Sequence, residues 1–253
     1  MRIFLTGDTH AGIDIEKLRP FNKEHPELTK DDYLIVLGDF GVIWNSLDEY
    51  TYDLINTYEG FNFSTAFVLG NHEGYDLLKT FPKEEWCGGL VRRISDSIIQ
   101  LENGEIYNIP INNKEFSFFV MGGALSIDKN FRRPGLEWWE DEIPNLSVRN
   151  KSIQNLLNFV LTNKFLPDFF LTHTPPADVI DDLLPNSCKN EEYSQWLNYF
   201  LTLKDKCEVE WYCGHMHMDK TIDNPYIKKF KDDTFAIKKL RVFYNNILEI
   251  MPL

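Results

Sequence analysis

The chain predicts an α/β fold built on parallel β-strands, and three observations carry the prediction. Compact apolar or β-branched runs at residues 2–6, 33–37 and 65–69 each stop at a glycine followed by a polar residue. The segments between them, residues 13–25 and 47–58, are long enough to form crossover helices. With 253 residues, 43% of them hydrophobic, the chain can bury one substantial core, so a single domain over residues 1–253 is expected. No internal repeat, low-complexity run or linker divides it.

The rest of the chain follows in order. Residues 98–101 and 105–109 flank Asn103-Gly104 and read as a hairpin across that turn. A buried strand over residues 116–121 then ends at Gly122-Gly123, and a polar, tryptophan-containing stretch covers residues 126–144. Residues 148–165 have the spacing of an amphipathic helix, with Ile153, Leu156, Leu157, Val160 and Leu161 on one side. A strand at 168–172, a helix at 191–206, a strand at 208–213 and closing strands within 235–250 complete the expectation.

Bulk properties exclude several classes. The longest apolar runs are strand-sized, far below the roughly 20 residues of a membrane-spanning helix, so no membrane span is expected. Met1 is followed by a charged residue and a short run with no signal-peptide character, which favours a cytoplasmic, unprocessed protein. Cys87, Cys188, Cys207 and Cys213 form no CxxC pair and read as reduced thiols. A net charge of −13 argues against an extended nucleic-acid-binding face, although bound cations and a few basic residues can still make a local anion site.

The histidines carry the chemical signal. Of six in the chain, all except His25 follow an apolar run directly. The strand ends read Gly7-Asp8-Thr9-His10, Gly38-Asp39, Gly70-Asn71-His72-Glu73, Thr172-His173 and Gly214-His215-Met216-His217. In open α/β sheets the carboxyl ends of the strands line the ligand crevice, so these residues are expected to converge. Two Asp, one Asn and several His make a mixed oxygen and nitrogen donor set suited to Zn, Mn or Fe. Each piece alone has a blander reading: Asp-x-His as a turn carboxylate beside a surface histidine, His-x-His as a solvated loop, His173 as a satisfied core residue. Their joint placement after strand-like runs favours a metal site.

The ordered set Asp8-x-His10, Gly38-Asp39, Gly70-Asn71-His72-Glu73, His173 and Gly214-His215-x-His217 resembles the calcineurin-like metallophosphoesterase superfamily. The resemblance implies a four-layer α/β/β/α sandwich of two mixed β-sheets flanked by helices, with two divalent metal ions (Mn, Fe or Zn) at its edge. It puts Asp8, His10 and His217 on one ion and Asn71, His173 and His215 on the other, with Asp39 bridging both. His72 becomes a catalytic residue near the leaving group, and Glu73 either orients it or caps the following helix. Two ions roughly 3.5 to 4 Å apart would polarise a phosphoryl group and acidify a bridging water, whose hydroxide form attacks phosphorus. The motif Gly38-Asp39-Phe40-Gly41-Val42 lacks the Asp and Arg of the Ser/Thr protein phosphatase branch. Val42 also replaces the tyrosine ligand of purple acid phosphatases, leaving the bacterial and phage branches as the nearer likeness.

Some other group must then grip the substrate. Lys129, Arg132 and Arg133 are candidate phosphate contacts, with Trp138-Trp139 as a candidate stacking surface; a solvated basic turn and two core tryptophans are the alternative. The expected activity is hydrolysis of a phosphomonoester or phosphodiester, with a small or nucleotide-like substrate favoured by the acidic surface. A non-catalytic scaffold that binds proteins is the competing class, and the full ligand set speaks against it.

Overall fold

In the computed structural model, which describes residues 1–185, 191–205, 208–223, 225 and 234–251, a strand and crossover rhythm opens the chain. β1 (Ile3–Thr6), β2 (Tyr33–Val36) and β3 (Ser64–Phe67) are buried throughout, as strands covered on both faces must be. A short 3-10 turn and α1 (Leu18–Glu24) connect the first pair; α2 (Glu49–Glu59), capped by the Asp48 carboxylate on Thr51 N–H, connects the second. The parallel register aligns Thr6 with Val36 and Val36 with Phe67, so the three strands end together. A single turn, α3 (Tyr75–Leu78), precedes β4 (Lys83–Trp86), β5 (Gly89–Ser95) and β6 (Ile98–Leu101).

Next come β7 (Ile106–Ile111), β8 (Lys114–Met121), α4 (Leu146–Asn163), β9 (Phe169–Thr172), α5 (Ala177–Leu183) and α6 (Glu192–Leu201). The last elements are β10 (Val209–Cys213), β11 (Lys220–Asp223), β12 (Ile237–Val242) and β13 (Ile247–Glu249). The strands make two mixed sheets, ordered β13-β1-β2-β3-β6-β5-β4 and β11-β12-β10-β9-β8-β7.

Side-chain alternation divides the core into three apolar layers. Ile3, Leu5 and Ile35 meet Phe118, Val120 and Leu171 between the sheets. On the opposite face Phe4, Leu34 and Val36 pack under α1 and α2, while the outer face of the second sheet, with Phe170 and Trp211, packs under α4, α5 and α6. The result is the expected four-layer sandwich of two mixed sheets flanked by helices.

Two expected elements differ. The strands around Asn103-Gly104 do not pair: β6 lies between β3 and β5, so both its edges are taken, and β7 pairs with β8 in the other sheet. The turn is a corner between sheets, fixed by Gly104 N–H to Val120 O (2.8 Å) and Gly122 N–H to the Asn103 side chain (2.6 Å). The second difference concerns α4, where Ile153, Leu157 and Leu161 are 38%, 52% and 67% exposed and Leu156 is buried. Its docking face carries Arg149 and Ser152 instead. Arg149 donates to Pro144 O (2.7 Å) and pairs with Glu192 (2.7 Å), and Asn155 donates to Gly104 O (2.9 Å). Leu156 and Val160 still pack on the core, so only part of the expected stripe faces outward. Among the described residues no helix is long and apolar enough to cross a membrane. Cys87 and Cys213 are free thiols; Cys188 and Cys207 lie outside the described residues.

Candidate metal centre

The loops leaving β1, β2, β3, β9 and β10 bring Asp8, His10, Asp39, Asn71, His72, His173, His215 and His217 into one crevice, and the backbone there is tightly constrained. Gly38 has φ +89°, and a Cβ on it would sit 2.1 Å from His173 Nδ1. A Cβ on Gly214 would lie 2.4 Å from Asp8 Oδ1. His10, Asp39, His215 and His217 adopt left-handed φ values of 42°, 49°, 66° and 47°. Such conformations cost on the order of 1–3 kcal/mol each and cluster where side chains must be aimed.

Three groups bring donor atoms within 4.8 Å of one another: Asp8, His10 and His217; His10, Asp39 and His72; and Asp39, His173 and His215. Asp39 has its Oδ2 3.4 Å from His10 Nε2 and its Oδ1 3.2 Å from His173 Nε2, so its two oxygens face different histidines. Asn71 Oδ1 adds an oxygen 3.1 Å from His173 Nε2. Asp8 Oδ2 is buried without a hydrogen-bond donor, although His217 Nε2 lies 3.1 Å away. An orphaned buried carboxylate oxygen among imidazoles fits a divalent cation, because leaving it unpaired is expensive.

Electrostatics agree. Burial opposes ionisation of Asp39, but His173 and His10 outweigh it and hold the carboxyl well below its usual range. Burial also works against charging His173 and His10, yet Asp39 dominates in both, with Asp14 assisting at His10, and both imidazoles are held up at about 9. His215 is pushed down to about 4 by burial, and His72 is lowered by burial as well. Protons on His10 and His173 thus neutralise the carboxylates where a cation would otherwise do so.

A second ring of contacts aims the donors. His173 Nδ1 donates to Leu37 O (2.8 Å), which leaves Nε2 facing the crevice. His10 Nδ1 meets Asp14 Oδ2 at 2.6 Å, and Asp14 Oδ1 accepts from Tyr244 Oη at 3.1 Å. Tyr244 stacks on His217, with ring centroids 4.8 Å apart and planes at 19°. Lys17 Nζ donates to Gly7 O, Asp8 O and Tyr244 O, and burial pulls its ammonium down to about 8. Asn71 Nδ2 donates to Ser126 Oγ (3.2 Å), whose own proton goes to Glu142 (2.8 Å). Sequence reasoning missed Asp14, Lys17, Ser126, Glu142 and Tyr244. Only Asp14, one helical turn after His10, carried a local signal.

Glu73 takes neither of its two expected roles. It is fully buried and accepts from Phe40 N–H (2.8 Å) and Gly41 N–H (3.2 Å), while Gly74 occupies the N-cap of α3 without a side-chain cap. It therefore braces the loop that presents Asp39, and burial pushes its carboxyl up to about 8.

A match to the calcineurin-like phosphoesterase family spans residues 1–219. The chain belongs to that family. Membership of the calcineurin-like phosphoesterases places the chain among hydrolases of phosphoesters, with Asp and His clusters that could hold metal. The phosphopantetheinyl hydrolase PptH of Mycobacterium tuberculosis superposes with a TM-score of 0.51 at 14% identity, covering 100% of this chain and 96% of that one. That likeness shows a shared fold. A protein of unknown function from Aquifex aeolicus, AQ665, aligns at a TM-score of 0.31 and 14% identity over 70% of this chain and 81% of its own. No curated protein matches.

Around this phosphoesterase centre the expected anion contacts separate. Arg132 Nη1 lies 3.3 Å from His72 Nδ1, with the guanidinium also paired to Asp128 at 2.6 Å. Arg133 is exposed and paired with Glu137, and Lys129 Nζ lies 5.4 Å over the Trp138 ring. Trp138 and Trp139 do not form a joint platform: Trp139 is buried, donates to Asp76 and meets Trp44 edge-on at 5.1 Å and 88°. The aromatic face beside the crevice belongs to Trp44, 6.2 Å from His72 with planes at 22°.

Proposed function

We propose that this calcineurin-like phosphoesterase is a dinuclear hydrolase of small or nucleotide-like phosphomonoesters or phosphodiesters, using two divalent ions of Mn, Fe or Zn. Asp8, His10 and His217 would hold one ion and Asn71, His173 and His215 the other, with Asp39 shared between them. The observation that carries this reading is the division of the Asp39 oxygens between His10 and His173, flanked by the orphaned Asp8 Oδ2. Bound ions supply Lewis-acid polarisation of the phosphoryl group and an acidified water for attack.

The chain's own groups do the rest. Arg132 has no acceptor, so His72 Nδ1 accepts its N–H and the imidazole is neutral with its proton on Nε2, placed to donate a hydrogen bond to the leaving oxygen. Arg132 itself offers N–H groups to a phosphate oxygen, and Lys129 and Arg133 are proposed as longer-range anion contacts. We also propose that residues 1–253 act as one domain, which the apolar layer shared by both sheets supports. A cytoplasmic location accords with the free thiols of Cys87 and Cys213.

The reading is tested with p-nitrophenyl phosphate and bis-p-nitrophenyl phosphate, with Mn present and after chelation. Turnover of at least one ester should vanish on chelation and return with metal. Asp39→Asn should lower the rate at least about a hundredfold and reduce bound metal by elemental analysis. Unchanged metal content and rate in that variant would sink the bridging role. Inert wild-type protein without bound metal would favour the scaffold class.

A further inference from the structure

A cavity of about 580 Å³ opens beside His10 and His72, with no lining residue from the loops after β9 and β10. Its size suits a small organic group. The wall is apolar: Val42 and the indole of Trp44 form the inner part, and Ile13 and Tyr50, 78% and 62% exposed, form the mouth. Among the described residues no lysine or arginine lines it. Its one carboxylate, Asp48, is already engaged, with Oδ1 accepting Thr51 N–H and Oδ2 accepting Ser46 Oγ–H, both at 2.9 Å. The Trp44 indole packs edge-on against the buried Trp139, with centroids 5.1 Å apart and planes at 88°. Cationic and apolar features are therefore segregated: Arg132 touches His72, while the cavity offers an indole, a phenol and aliphatic groups.

We propose that this cavity receives the organic group of the substrate, and that this group is an uncharged aromatic ring, of aryl or nucleoside type. The inference rests on the phosphoesterase reading above and names its substrate class. A ring gains by dispersion and by stacking on the indole of Trp44. A polyphosphate or a second charged phosphate in the same place would meet no cation and the Asp48 carboxylate.

The test compares kcat/KM for p-nitrophenyl phosphate, adenosine monophosphate and methyl phosphate in wild type, Trp44→Ala and Tyr50→Ala. Differences in leaving-group reactivity cancel in each variant-to-wild-type ratio. Trp44→Ala should lose about tenfold more on a ring-bearing ester than on methyl phosphate, because any effect through His72, on which Trp44 stacks, is shared by all three esters. Tyr50→Ala, at a 62% exposed position, should lose in the same direction by less. Loss confined to one ring substrate identifies aryl or nucleoside as the class; uniform loss on all three esters, or none, overturns the assignment. Should the wild type turn over no phosphoester at all, the phosphoesterase reading falls, and metal-free protein still decides the cavity. Saturable binding of p-nitrobenzyl alcohol by tryptophan fluorescence, weakened about tenfold by Trp44→Ala, upholds it, and absence of saturable binding overturns it.

Discussion

At the scale of single residues, Asp14 and Tyr244 decide how firmly His10 and His217 point at an ion. Tyr244 lies beyond residues 1–219, the span matched to the family, yet it hydrogen-bonds Asp14 and stacks on His217. Partners that orient metal-binding histidines typically contribute about tenfold to a hundredfold in affinity. Asp14→Asn and Tyr244→Phe should therefore weaken Mn binding, the first by at least about tenfold and the second by less, in a calorimetric titration that needs no substrate. Unaltered affinity in Asp14→Asn would show that the His10 contact is incidental. The residues that line the crevice could be read from the sequence because each directly follows an apolar run, where chain order and spatial order coincide. Their supports could not: Ser126 and Glu142 reach Asn71 only through the long loop after β8, whose path depends on what it packs against. Glu73 shows the same limit. Its position after His72 suggested a local role, but burial and two backbone N–H groups from another loop determined its contacts.

At the scale of elements, strand ends and helix faces behave differently. Parallel strands covered on both sides are read directly from apolar runs, and β1, β2, β3, β9 and β10 fall where those runs lie. Which strand neighbours which is set by long-range pairing, so the Asn103-Gly104 turn gave no sign that it joins two sheets. For α4 the periodicity holds only in part: Leu156 and Val160 pack on the core, but Asn155 bonds Gly104 O at that same corner and Arg149 bonds Pro144 O and Glu192, and Leu157 and Leu161 face outward. Leu157→Lys and Leu161→Glu should accordingly change unfolding free energy by no more than about 0.5 kcal/mol each, while Leu156→Ala should cost about 2–5 kcal/mol, measured by denaturant melts. The reverse order would restore the face expected from sequence. Gly38 marks the opposite extreme, an element boundary with no tolerance. Gly38→Ala would place a methyl group against His173 at a φ that disfavours any side chain, so loss of both stability and metal binding is expected, read by the same melts with and without Mn.

At the scale of the whole molecule, pH links the fold to the proposed cations. In the metal-free protein His10 and His173 are held up at about 9 by Asp39, so both carry protons at neutral pH. A group raised on folding stabilises the fold fully below its unfolded value, ordinarily 6.5, and that contribution disappears as pH rises through about 9. Asp39 contributes in the other direction: its depressed carboxyl stabilises the fold above 3.8 and stops doing so on acidification through its folded value. Metal binding must expel the imidazole protons, so affinity should rise with pH, with protons released on loading and detected by calorimetry in buffers of different ionisation enthalpy. Chelated protein should also lose thermal stability between about pH 6.5 and 9 as the histidines discharge beside two carboxylates. Mn-loaded protein should not, because the ions replace that charge. Binding to the native state alone adds about 2.7 kcal/mol at a ligand concentration a hundred times Kd, so the gap in melting temperature should widen by several degrees as pH rises. A gap that stays constant across this range, with no proton released on loading, would mean that the ions and the imidazole protons do not compete for one site.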